Sequence, residues 1–84
     1  MASDMVRVRN RVLTSTALVG EDRFTRADAA MLLRNQAIDG RQPSAMQGLR
    51  HVAMEGDGEA QAIAKGGVRE LEELAKREFR DRPA

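Results

Sequence analysis

The side chains able to do chemistry are few. His51 is the sole imidazole, there is no cysteine, and the hydroxyl candidates for a nucleophile are Ser3, Ser15 and Ser44. Acyl transfer needs a nucleophile touching its base. Ser44 and His51 fall seven residues apart on one helix face, a two-turn gap of roughly 10 Å that precludes contact. Glu72-Glu73 sits among basic neighbours, and Gly56-Asp57-Gly58 and Gly66-Gly67 lack the lysine and strand of a phosphate loop. A lone histidine without thiols is no metal set, so no metal and no cofactor is expected. The chain reads as a non-enzyme.

What remains is binding chemistry. Arg23, Arg26, Arg41, Ser44, Gln47, Arg50 and His51 cluster within 29 positions that hold few acids. Arginine grips guanine O6/N7 and glutamine pairs with adenine N6/N7, while serine hydroxyls and helix N-termini take phosphate. Gln47, Arg50 and His51 are the candidate base readers, with Arg41 and Ser44 near the start of their helix. Arg23 and Arg26 are the candidate backbone contacts. The same residues also suit the solvated side of any amphipathic helix.

The elements that must position them are helical. Ser3 suits an N-cap for a helix over 4–19, in which Met5, Val8, Val12 and Val19 share one face with Leu13 beside them. Val6 to Val12 also alternates like a strand, so strand is admissible at 6–12. Gly20 is the expected C′ residue, and Glu21-Asp22 a connector. A helix over 26–37 starts from Thr25 as N-cap, with Asp28 completing a short capping box and Phe24 and Ala29 as the staple. Its buried candidates are Ala29, Ala30, Leu32 and Leu33. Asp39-Gly40 marks the turn, Pro43 suits a first helical turn, and Ala45, Met46, Leu49, Val52 and Ala53 form a stripe over 43–55.

Residues 59–65 are helix-prone through alanine or form one arm of a short β-wing ending at Gly66-Gly67. An uninterrupted helix there would carry two interior glycines, at a cost of about 2 kcal/mol, so a break or kink is expected. Helix resumes over 68–80, where Val68, Leu71, Leu74, Ala75 and Phe79 share a face and Glu72–Lys76 and Glu73–Arg77 are i, i+4 pairs. Arg80 to Ala84 is a frayed tail. The class is therefore all-α: one small domain of about four helices spanning 1–84.

RFTRADAAMLL and PSAMQGLRHVAMEG, residues 23–33 and 43–56, resemble the first and reading helices of phage and bacterial helix-turn-helix and winged-helix regulators. That resemblance implies a regulator contacting duplex DNA through residues 43–55. Two departures stand out: Gly40 comes late for a tight turn, and EAQAIAKGG offers only Lys65 to a wing. A strand at VRVRNRV would instead resemble ribbon-helix-helix proteins. The competing class is a non-catalytic helical interaction protein (adaptor, inhibitor or phage structural component) acting through apolar and methionine-bearing faces.

Composition bounds both classes. Phe24 and Phe79 are the only aromatics, and without disulfides so small a core favours self-association as a homodimer or larger. Val68, Leu71, Leu74 and Phe79 are the expected interface. Net charge is +1, but residues 1–54 hold eight arginines against five acids and residues 55–84 six bases against eight acids. A basic front and an acidic back favour orientation on a polyanion, or head-to-tail contact between copies. No apolar run approaches the roughly 20 residues of a bilayer span, and MASDMVRVRNRV lacks a signal-peptide core. The chain reads as soluble and cytoplasmic, with no membrane contact.

Overall fold

Four helices follow one another in a computed structural model that describes residues 2–81: α1 (Ala2–Val19), α2 (Arg23–Ile38), α3 (Pro43–Glu55) and α4 (Gly58–Asp81). The class is all-α, with no strand among the described residues. Residues 82–84, part of the tail expected to fray, and the side chain of Ser3, the expected first cap, lie outside what is described.

Local chemistry explains the boundaries. α1 is helical despite its strand-like alternation, and Thr14 and Thr16 donate their hydroxyls to the carbonyls of Asn10 and Val12 four residues back. Gly20 follows its last turn, donating its N–H to Thr16 at 2.9 Å, but without the positive φ of a left-handed cap. α2 begins earlier than the sequence suggests. Its N-cap is Asp22, which accepts the Thr25 N–H at 2.8 Å, so Thr25 lies inside the first turn rather than capping it. Aspartate is as good a cap as threonine, and its carboxylate also opposes the helix dipole. In the next connection Arg41, not Gly40, takes the left-handed conformation, at φ +52°.

Hydrogen bonds and ion pairs pin the helix directions. Asn10 reaches Ser44, and Thr14 lies against Gly48, so α1 and α3 run the same way. Arg26 faces Asp57, Arg34 pairs with Glu70 and Arg41 with Glu78, which sets α2 and α4 parallel. α2 and α3 are therefore neighbours at both ends, through Gln36–Gln42 at one and Arg26–Asp57 at the other.

α1 and α4 each pack on both α2 and α3 but scarcely meet one another. The result is a flat molecule of 49 × 33 × 16 Å with α2 and α3 in the middle. The core is mostly alanine (Ala17, Ala27, Ala29, Ala30, Ala37, Ala45, Ala60, Ala64), filled by Leu33, Leu49, Val52 and Leu71. Small side chains let the helices approach, and such a core is thin. Leu32, expected inside, is half exposed.

Of the two alternatives for 59–65 the helix is the one seen, and the break expected at Gly66-Gly67 is absent: both glycines lie inside α4, which runs unbroken from Gly58 to Asp81. Packing supplies the reason. A Cβ on Gly67 would come within 2.8 Å of Leu49 Cδ2 and 3.2 Å of the Arg34 side chain. The glycine that weakens the helix is what lets α4 lie close against α2 and α3.

Candidate functional site

α1 has two unlike sides. The inner side carries Asn10, fully buried, with half-buried Thr14 and buried Ala17. Asn10 Nδ2 donates to Gln42 Oε1 and Ser44 Oγ, both at 2.9 Å, while Arg9 donates to the same Gln42 oxygen. Gln42 also donates to Gln36, so one polar node ties α1 to the turn between α2 and α3. Asn10 Oδ1 has no partner.

The outer side of α1 is apolar. Met5, Val8, Val12 and Val19 are 74%, 58%, 58% and 77% exposed. At 100° per residue they form one narrow stripe directly opposite Asn10 and Ala17. A shallow depression on that stripe is lined by Asp4, Met5, Val8 and Arg9. The face that hydrophobic spacing picks out in α1 is thus the face turned to solvent.

Between α1 and α3 runs an open groove of about 430 Å³. Arg7, Arg11 and Ser15 line it from α1, and Ser44, Gln47 and His51 from α3; no acidic side chain lines it. Arg7, Arg11 and Arg50 form no ion pair among the described residues.

The residues singled out from sequence are therefore dispersed. Gln47, Arg50 and His51 are exposed on α3, and Ser44 is half-buried as Asn10's acceptor. Arg26 is committed inward, donating to the Gly20 carbonyl at 2.7 Å, with Asp57 at 3.9 Å. Arg41 is held by Glu78, and Arg23 lies 4.9 Å above the Phe24 ring. Of the expected interface, Leu71 is buried in the chain's own core and Val68 packs against it. Leu74 is half-buried and Phe79 is 79% exposed. Val68 and Leu71 are taken because Ala60, Ala64 and Gly67 bring α4 down on α2 and α3.

Sequence reasoning missed Arg7 and Arg11, and the outward turn of the α1 stripe. A signal for the second existed: Asn10, Thr14 and Ala17 mark a small, polar face opposite the stripe, suited to close packing on glycine.

Among the described residues no helix is long and apolar enough to cross a membrane. Comparison with protein-family models, with curated proteins and with solved structures returns no match.

Proposed function

We propose that this protein is a non-catalytic helical interaction or assembly protein that docks through the outer face of α1. One observation carries the reading: Met5, Val8, Val12 and Val19 form an apolar stripe in solvent, interrupted by Ser15 alone, on a helix whose other side is already packed. Scattered apolar residues on a surface need no explanation, whereas a row at helical spacing exposes area that association removes. The discriminating experiment is the double variant Val8→Glu, Val12→Glu. It keeps the fold and its stability, within about 0.5 kcal/mol per exposed site, and abolishes association. A loss of stability comparable with truncating a core leucine would make the stripe structural and end this reading.

A second reading is favoured by the groove. Two unpaired arginines beside Gln47 and His51, with Arg50 further along α3, suit a nucleic-acid backbone. As a duplex DNA binder, the protein would grip phosphate with Arg7 and Arg11 in place of Arg26 and Arg41, which are already occupied. Titration against mixed duplex DNA at two salt concentrations tests it. Arg7→Ala and Arg11→Ala weaken binding to all sequences and flatten its salt dependence, and Arg50→Ala relaxes any sequence preference. Binding indifferent to all three ends the DNA reading.

A further inference from the structure

We propose that the α1–α3 groove takes the α3–α4 turn of a second copy of this chain. The contact is separate from the outer stripe of α1 and stands or falls without it.

The fold segregates charge between its two ends. Gln42 accepts from Arg9 and Asn10, so the first half of α1 lies beside the start of α3. Arg7 and Arg11 line the groove in that half, both exposed, with no carboxylate in its walls. They stand one helical turn apart, about 6 Å along α1. Neither forms an ion pair among the described residues. The opposite end gathers acids. Arg26 donates to the Gly20 carbonyl and faces Asp57, which brings the α1–α2 and α3–α4 turns together. Glu21, Asp22, Glu55, Asp57 and Glu59 meet there, all exposed. The bases beside them are occupied, Arg23 by the Phe24 ring and Arg26 by the Gly20 carbonyl.

Charge and shape single out one of the two acidic turns. At the α1–α2 turn the Asp22 carboxylate is taken by the Thr25 N–H. At the α3–α4 turn Glu55 and Glu59 form no ion pair among the described residues, and the Asp57 side chain is 83% exposed. These three acids fall at alternate positions, each at most about 7 Å from the next, a spacing that suits two arginines one turn apart. Gly56 and Gly58 put no side chain between them. A Cβ on Gly58 would meet nothing within 4 Å, so the turn stands clear of its own fold. The chain thus carries at one end the anion that its groove lacks at the other. Groove and turn are different surfaces, so the contact is heterologous and repeats from copy to copy.

The test sediments the full chain at low and high salt, alongside two neutralised double variants: Arg7→Gln, Arg11→Gln and Glu55→Gln, Glu59→Gln. All the substituted side chains are exposed, so each variant should melt as the wild-type monomer does. The expected result is a wild type that associates reversibly at low salt and comes apart at high salt, as a contact between charges requires. Each variant alone should need about tenfold more protein to associate. Mixed, the two share one intact contact, the turn of the first in the groove of the second, and form a 1:1 complex that grows no further. A wild type that stays monomeric at low salt overturns the proposal. So does association that salt leaves intact or that neither variant weakens, which is how an apolar contact behaves. Variants that fail to pair when mixed overturn it too. If the wild type is monomeric and the arginine variant alone loses binding to duplex DNA, the groove holds a nucleic acid and not a second copy.

Discussion

α1 and α3 run side by side in the same direction, and each carries an apolar stripe at helical spacing, yet they treat it in opposite ways. α3 buries Ala45, Leu49 and Val52 and shows solvent Gln47, Arg50 and His51. α1 buries Asn10 and Ala17 and shows solvent Met5, Val8, Val12 and Val19. Position in the fold accounts for the difference. α3 is central and packs on all three other helices, so only one side is left to water. α1 sits at an edge and needs one narrow strip against α2 and α3. Gly48 opposite Thr14 makes that strip a close approach in which valine or methionine would not fit. Apolar spacing identifies an amphipathic helix; the contour of its neighbours decides which side goes in.

Truncation gives the widest separation. Leu49→Ala on α3 removes a fully buried side chain from an alanine-rich core that collapses poorly around a hole, and should cost about 2–5 kcal/mol in chemical denaturation. Gly48→Ala attacks the contact itself. Its new Cβ would lie 2.1 Å from Thr14 Oγ1 and 3.4 Å from Leu33, and overpacking of that kind costs about 1–3 kcal/mol. A Gly48→Ala protein as stable as wild type would mean that the Thr14 hydroxyl turns aside from Asn10 and that alanine's helix preference of about 1 kcal/mol makes up the cost. Asn10→Ala removes two hydrogen bonds from the inner face of α1, at about 0.5–1.5 kcal/mol, despite replacing a polar residue with a better helix former. If the stripe were the buried side, the same change would be neutral or stabilising.

Asp22 supplies a smaller effect with a pH signature. The Thr25 N–H, donating to its carboxylate, holds its pKa below the ordinary value, and the Thr25 hydroxyl adds to this. A folded-state pKa below the unfolded one stabilises the protein above the unfolded value. That contribution is lost as the pH falls through the folded one. Asp22→Asn keeps the cap, so its thermal unfolding temperature should vary less than wild type's below pH 4. Smallest of all is Val8→Ser on α1, within about 0.5 kcal/mol for the isolated chain.

The sequence is most legible where burial is dense. The stripe of α3, the pair Ala29-Ala30 with Leu33, and the break near Gly56 follow from spacing and turn chemistry alone. Three features are not legible this way. The continuity of α4 depends on what Gly67 touches across the fold, not on the local cost of glycine. Asp22 and Thr25 are both good caps, and only the entry of the chain chooses between them. Residue type alone points to Ser44, Gln47, Arg50 and His51 of α3 with Arg23, Arg26 and Arg41 before them, but the basic wall of the groove is Arg7 and Arg11 of α1. Those two join Gln47 and His51 only because α1 and α3 run parallel, which no local pattern encodes.

The outward position of the stripe depends on the rotation of α1 about its own axis, and broadening by a soluble paramagnetic probe measures that rotation most directly. Across a dilution series, the Asn10 side-chain amide and the Val52 methyls should stay unbroadened at every concentration. The Val8 methyls should broaden strongly once the protein is dilute. An Asn10 amide that broadens while the Val8 methyls stay protected at every dilution would mean the helix is turned by half a revolution, and would contradict the account.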